Sequence, residues 1–85
     1  MPSKTVTVGS RIGLHARPAA LIAEAASASG AAVTIAIAGG APVDAGSALM
    51  IMTLGAKLGD EVVVSGDDEA ALAKVADLVE QDLDA

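Results

Sequence analysis

The sequence predicts an α+β fold in which one four-stranded antiparallel sheet carries three helices on one face. Three observations favour this class. Strand-like and helix-like patterns follow one another in the order β-α-β-β-α-β-α, the 85 residues suffice for one modest core, and no repeat or linker interrupts them. We therefore expect residues 1–85 to form a single domain, an open-faced β-sandwich.

The first half of the chain is expected to place one helix between two strands. Residues 5–8 alternate polar and apolar side chains, which is typical of a half-buried strand. The alanine-rich residues 16–28 predict a helix that stops at Gly30. Residues 33–37 alternate again and predict the second strand. The helix side chains expected to face the core are Leu21, Ile22, Ala25 and Ala26.

The second half is expected to begin with a hairpin and a short helix. Gly39 and Gly40 mark a turn before a short strand at about residues 42–43. Residues 47–54 are mostly apolar and are followed by Gly55, so they predict a helix of two turns.

The chain should finish with a fourth strand and a third helix. Residues 61–65 contain three consecutive valines and predict the strand. Asp67 or Asp68 can cap a helix that runs to about residue 83, where acidic residues at its end favour fraying. The inward stripe of this helix is expected to be Leu72, Val75, Leu78 and Val79.

Composition argues against several functions. The chain has no cysteine and one histidine, so disulfides and a structural zinc site are not expected, and no metal or cofactor is implied. A net charge of −6 and the absence of aromatic residues argue against nucleic acid as a partner. Since no apolar leader or spanning segment is apparent, we expect a cytoplasmic monomer without membrane insertion.

Charge is unevenly distributed along the chain. Residues 1–17 carry three basic side chains and no acid, whereas residues 60–85 carry nine acids and one lysine. A small positive end near residue 15 would suit a partner with an acidic docking surface. The alternative is a solvated asymmetry without a role.

The best candidate for a site is the start of the first predicted helix. His15, the single histidine, precedes this helix, and Arg17 follows two residues later. Pro18 suits a first turn, where its missing N–H has no intrahelical partner. The free amides of Ala16 and Arg17 would attract an anion. These groups together predict a site for a phosphoryl group on His15, although a surface histidine beside a solvated arginine is the ordinary alternative.

Two segments resemble one known family. Gly-Leu-His-Ala-Arg-Pro-Ala at residues 13–19 resembles the active-site signature of HPr, the histidine-containing phosphocarrier of the bacterial sugar phosphotransferase system. Residues 43–55 resemble a second family segment, in which a serine, here Ser47, precedes a short apolar helix. The resemblance extends over essentially the whole chain and implies the HPr-like open-faced sandwich.

The resemblance implies a role for each site residue. His15 would accept a phosphoryl group, through Nδ1, from phosphorylated enzyme I, and pass it to the enzyme IIA component of a sugar transporter. Arg17 and the backbone amides of Ala16 and Arg17 would hold the phosphoryl oxygens. The protein would then be a covalent intermediate rather than an enzyme. A serine kinase and transcription regulators are further partners that the family implies.

The second segment supplies the remaining candidates. Ser47 is either an ordinary helix cap or a regulatory phosphorylation site, where added negative charge would repel an acidic partner. The candidate docking residues are Ala48, Leu49, Met50 and Met52, whose alternative role is core packing.

Three departures and two alternatives accompany this interpretation. Ile12 stands where the family often has a small polar residue, Gly46 where it often has lysine, and Asp44 where asparagine is common. One alternative is a paralogue with a regulatory, nitrogen-related or dihydroxyacetone-related role. The other is a small ligand-binding or protein-interaction module in which His15 is incidental and which would have a pocket lined by polar groups.

Overall fold

The computed structural model describes residues 2–11 and 13–81, and these residues form one antiparallel sheet covered by three helices. The strands run in the order β1-β4-β2-β3, and every neighbouring pair is antiparallel. The predicted α+β class, the open sheet and the element order are confirmed. The strands are β1 Ser3–Thr7, β2 Val33–Ile37, β3 Val43–Asp44 and β4 Glu61–Gly66. The helices are α1 Ala16–Ala28, α2 Ala48–Thr53 and α3 Glu69–Glu80.

The register of the strands gives the sheet one apolar face. Val6 lies opposite Val62, and Ile35 lies opposite Val64. All four side chains are buried, whereas the alternate residue Thr5 is exposed. Because side chains alternate between the two faces of a strand, these valines and isoleucines share the face that the helices cover.

The face of α1 that packs inward differs from the prediction. Leu21 was expected in the core and is instead 39% exposed, so that prediction is wrong, and Ala25 is only half-buried. The helix packs against both α2 and α3. Its buried side chains recur at the i, i+3, i+4 spacing that places them on one face, and most of them are small. The buried side chains of α1 are Pro18, Ala19, Ile22, Ala23 and Ala26.

Several predicted boundaries shift by a few residues. β1 begins two residues earlier than predicted and excludes Val8, whose N–H donates to the Asp60 carbonyl outside the ladder. β3 lies one residue later, β4 is one residue longer, and α2 is shorter by one residue at each end. Helix α3 is capped by Asp68 and ends at Glu80, and the predicted continuation over residues 82–83, together with Asp82 and Asp84, lies outside the described residues.

The predicted core of α3 is mostly confirmed. Leu72, Val75 and Val79 are buried, and Leu78 is partly buried against the core. Ala71 and Ala76 are also buried, because α3 packs on β1, β4 and α1 together. Among the described residues, no helix has the length and hydropathy that crossing a bilayer requires.

Candidate functional site

His15 is the N-cap residue of α1. Its backbone is extended, with φ −91° and ψ −162°, and its side chain makes no capping hydrogen bond. The first turn closes when the Ala19 N–H donates to the His15 carbonyl at 2.9 Å. The helix itself therefore offers no acceptor to the N–H groups of Ala16 and Arg17, and Pro18 has no N–H group. This end of α1 presents two backbone donors and the positive end of the helix dipole.

The half-buried imidazole of His15 lies against the backbone that precedes it. Its Nδ1 is 3.2 Å from the Gly13 carbonyl oxygen, which also accepts the His15 backbone N–H at 3.0 Å. A carbonyl oxygen can only accept, so the Nδ1 contact is a hydrogen bond in the tautomer that carries its proton on Nδ1. In the other tautomer the proton lies on Nε2, and Nδ1 carries a lone pair instead.

A remote segment of chain holds this loop in place. The Leu14 N–H donates to the Ala56 carbonyl at 3.0 Å. Gly13 has φ +90°, and a Cβ added there would clash with the Ala56 carbonyl oxygen and lie 2.9 Å from the Lys57 Cα. Glycine is required here because the backbone of the α2–β4 connection approaches too closely for any side chain.

A shallow depression of about 310 Å³ opens beside the imidazole. It is lined by Leu14, His15, Met52, Gly55, Ala56 and Lys57. Met52 is a candidate from the sequence, whereas no motif connects Lys57 to His15 and its position here could not be predicted. Arg17 lies in the first turn of α1 with an exposed side chain and is not among the residues that line the depression.

Ser47 is the N-cap residue of α2, which is the ordinary role that the sequence left open beside regulation. Its Oγ accepts the Met50 N–H at 3.3 Å, and its own N–H donates to the Asp44 carbonyl at 3.1 Å. The Asp44 carboxylate accepts the Gly46 N–H at 2.8 Å, which fixes the turn that leads into the helix. The serine side chain is half-buried and already occupied as a cap.

The candidate docking residues divide between surface and core. Leu49, Met50 and Met52 are 69%, 41% and 37% exposed, respectively, whereas Ile51 is fully buried. Ala48 is half-buried and packs against the core. Helix α2 therefore presents an apolar surface, and Met52 joins this surface to the depression beside His15.

A larger concavity of about 620 Å³ lies between the end of α1 and the β2–β3 edge of the sheet. Alanine, glycine and valine make up most of its lining, with Ser27, Thr34 and Asp44 as polar members. A binding or interaction module would be expected to have a pocket lined by polar groups, whereas this concavity is mainly apolar. Within the described part of the chain, no group of three His, Asp or Glu side chains could hold a metal ion.

An open antiparallel sheet with three helices and a histidine at an uncapped helix start is consistent with a small histidine phosphocarrier. The family model described as "PTS HPr component phosphorylation site" matches residues 2–81. The chain belongs to the HPr family of phosphocarriers of the phosphotransferase system.

Individual relatives agree with this assignment. The chain is 47% identical to the phosphocarrier protein HPr of Streptomyces coelicolor over 87 aligned residues, covering 99% of this chain and 94% of the relative. The crystal structure of HPr from Bacillus anthracis superposes with a TM-score of 0.84 at 33% identity, covering 92% of this chain and 95% of that one. HPr-C-His from Thermoanaerobacter tengcongensis gives 0.83 at 35% identity, with 94% and 92% covered.

Proposed function

We propose that this protein carries a phosphoryl group on His15, accepting it from phosphorylated enzyme I and passing it to an enzyme IIA component of a sugar transporter. The observation that carries the proposal is the uncapped start of α1. A half-exposed imidazole and two backbone N–H groups that lack helical acceptors meet there, and Arg17 follows in the same turn. Membership of the HPr family supports the same role.

The proposed step moves a phosphoryl group without a general acid or base from this chain. The lone pair of one imidazole nitrogen forms the N–P bond while the donor's bond to phosphorus breaks, and the donor atom keeps that electron pair. Attack through Nδ1 requires the ring proton on Nε2 and loss of the Nδ1 contact with the Gly13 carbonyl. The second transfer reverses the step and restores His15, so the protein acts as a covalent intermediate rather than as an enzyme.

The donors at the start of α1 would hold the transferred group. The backbone N–H groups of Ala16 and Arg17 point beyond the helix end, and charge-assisted hydrogen bonds from such donors to phosphoryl oxygens are among the strong ones. The Arg17 guanidinium adds a flexible cation with fork geometry. Because His15 is only half-buried, the group stays accessible to the next acceptor.

Docking of the partner proteins is assigned to the apolar surface of α2. Leu49, Met50 and Met52 are exposed at a site edge where most monomeric proteins would place polar residues, and Met52 borders the imidazole. Methionine adapts to more than one partner surface, which suits a protein that must dock with a donor and an acceptor. Ala48 contributes less because the core covers part of it. We propose that the protein docks with its partners as a monomer in the cytoplasm.

Intact mass spectrometry tests the carrier role. The protein is incubated with phosphoenolpyruvate and an active enzyme I, beside His15→Ala and Ser47→Ala. We expect one phosphate on the wild type and on Ser47→Ala, labile in acid and stable in alkali, and none on His15→Ala. An adduct that persists in His15→Ala, or no adduct on the wild type when a control HPr is phosphorylated, contradicts the proposal.

Ser47 is proposed as a site of negative regulation. A phosphate there adds about −1.5 to −2 charges beside the exposed Leu49 and Met50, at the entrance to the docking surface. The helix start tolerates this charge, so the effect is electrostatic repulsion of an acidic partner rather than unfolding.

Ser47→Asp provides the test of this regulation. We expect enzyme I to bind the variant several-fold more weakly at low salt, with much of the difference lost at high salt. Thr5→Asp, which adds the same charge on the exposed face of β1, is the matched control and should bind like the wild type. Equal affinities for both variants would count against regulation through docking.

A further inference from the structure

Lys57 is a cation at the edge of the site to which neither the family signature nor the sequence analysis assigns a role. It lies in the connection between α2 and β4 and lines the same depression as His15 and Met52. Its side chain is exposed, and its backbone N–H donates to the carboxylate of Asp60 at 2.9 Å. Of the described residues that line the depression, Lys57 is the one with a positive charge.

Backbone contacts fix the position of the Lys57 Cα. The Leu14 N–H donates to the carbonyl of Ala56, the residue before Lys57, at 3.0 Å. The position of a Cβ on Gly13 would be 2.9 Å from the Lys57 Cα. The Lys57 carbonyl also accepts the Asp60 N–H at 2.9 Å, which closes the turn. The Cα is therefore held beside the loop that carries His15, and only the flexible stem has to adjust.

Asp60 is an acidic residue of this same turn. One of its carboxylate oxygens, Oδ2, is used as an acceptor by the Lys57 backbone N–H. That bond directs the carboxylate to the turn itself, where it stabilises the conformation that presents the lysine. The ammonium can then serve a group that enters the depression.

We propose that the Lys57 ammonium binds the phosphoryl group carried by His15 and stabilises the phosphorylated form of the protein. This inference rests on the proposed function. A phosphoryl group brings negative charge and acceptor oxygens, and lysine binds such groups as a compact cation with three donors on a flexible stem. Lys57 keeps its protons throughout and forms no covalent bond, so the transfer step retains the balance described above.

The test is a competition for a limited supply of phosphoryl groups. Equal amounts of wild type and Lys57→Met are mixed with a catalytic amount of enzyme I and less phosphoenolpyruvate than total protein. Enzyme I redistributes the groups until the partition is constant, and intact mass spectrometry reads it. Contacts with enzyme I change the rates of phosphorylation and dephosphorylation of a variant by the same factor. The final partition therefore measures how stable the phosphorylated form of each protein is relative to its unphosphorylated form.

We expect the wild type to hold the phosphate about threefold to tenfold more than Lys57→Met, as for a partly screened ion pair. Lys57→Arg should recover most of this advantage. Lys74→Met, which removes an exposed lysine from the middle of α3, should share the phosphate equally with the wild type. Circular dichroism and thermal unfolding check that all variants are folded.

The unfavourable outcomes are distinct. Equal partition between the wild type and Lys57→Met overturns the role of Lys57 while leaving His15 as the acceptor. An equal loss in Lys74→Met overturns it as well, because the effect would then come from net charge. No phosphate on any of the proteins, with a control HPr phosphorylated, removes the carrier role and this inference together.

Discussion

The starts of α1 and α2 differ in what satisfies their first backbone amides. At α2, the Ser47 hydroxyl accepts the Met50 N–H at 3.3 Å, and the helix end is closed by its own side chain. At α1, His15 occupies the equivalent N-cap position without a capping hydrogen bond. Serine is among the preferred N-cap residues and histidine is not, so α1 forgoes about 1 kcal/mol that a good cap contributes.

This difference separates stability from chemistry. The cap of α2 occupies the Met50 N–H, whereas the equivalent residue of α1 is Pro18, which has no N–H to cap. The start of α1 instead places the imidazole of His15 beside the N–H groups of Ala16 and Arg17. Contacts with a distant segment hold the loop before α1. The Leu14 N–H donates a hydrogen bond to the Ala56 carbonyl, and Gly13 packs on the Lys57 backbone. The site is thus held by contacts from a distant segment rather than by its own helix.

The largest expected effect comes from giving α1 the cap that it lacks. His15→Asp should abolish phosphorylation completely, because the imidazole is gone. It should also raise the free energy of unfolding by about 1 kcal/mol, since a carboxylate at the N-cap accepts a first-turn N–H and complements the dipole. Chemical denaturation and intact mass measure the two effects.

His15→Ala separates the two contributions to that result. It should lose phosphorylation equally while gaining no stability, because alanine cannot cap. If His15→Asp had a lower free energy of unfolding than His15→Ala, the missing cap of α1 would not be a source of lost stability.

Removing the cation of the open end should have an intermediate effect. Arg17→Gln should slow phosphoryl transfer from enzyme I about tenfold, because a charge-assisted bond to the phosphoryl oxygens is lost. Stability should hardly change, since the side chain is exposed. Rapid-quench transfer rates provide the measurement, and Lys4→Gln on β1 is the matched control. Equal rates for Arg17→Gln and the wild type would remove Arg17 from the site.

The smallest effect is expected from removing the N-cap of α2. Ser47→Ala should lower the free energy of unfolding by about 1 kcal/mol, because the Met50 N–H loses its acceptor. Phosphorylation of His15 should proceed at the wild-type rate. Asp68→Ala, which removes the cap of α3, should show a similar loss by chemical denaturation. A slower transfer in Ser47→Ala alone would mean that the α2 cap also supports docking.

Much of this architecture could be predicted from periodicity and helix signals. Alternation predicts the residues of β2, and a run of three valines predicts most of β4. Gly30 marks the end of α1, and Asp68, one of two candidate caps, marks the start of α3, as the structure confirms. The inward face of α1 could not be predicted with the same success. Its sequence is so rich in alanine that several faces are apolar. In the structure α1 packs against α2 and α3 with Ala19, Ile22 and Ala23 buried, and Leu21 is left exposed.

The sequence alone determined which side chains lie at the start of α1, because His15, Arg17 and Pro18 are neighbours and Pro18 favours a helix start. Only the tertiary structure brought Lys57 and Met52 to the same depression. That juxtaposition depends on backbone hydrogen bonds between segments far apart in sequence, such as Leu14 to Ala56. Such contacts follow no periodic pattern, since both partners are backbone groups that every residue carries.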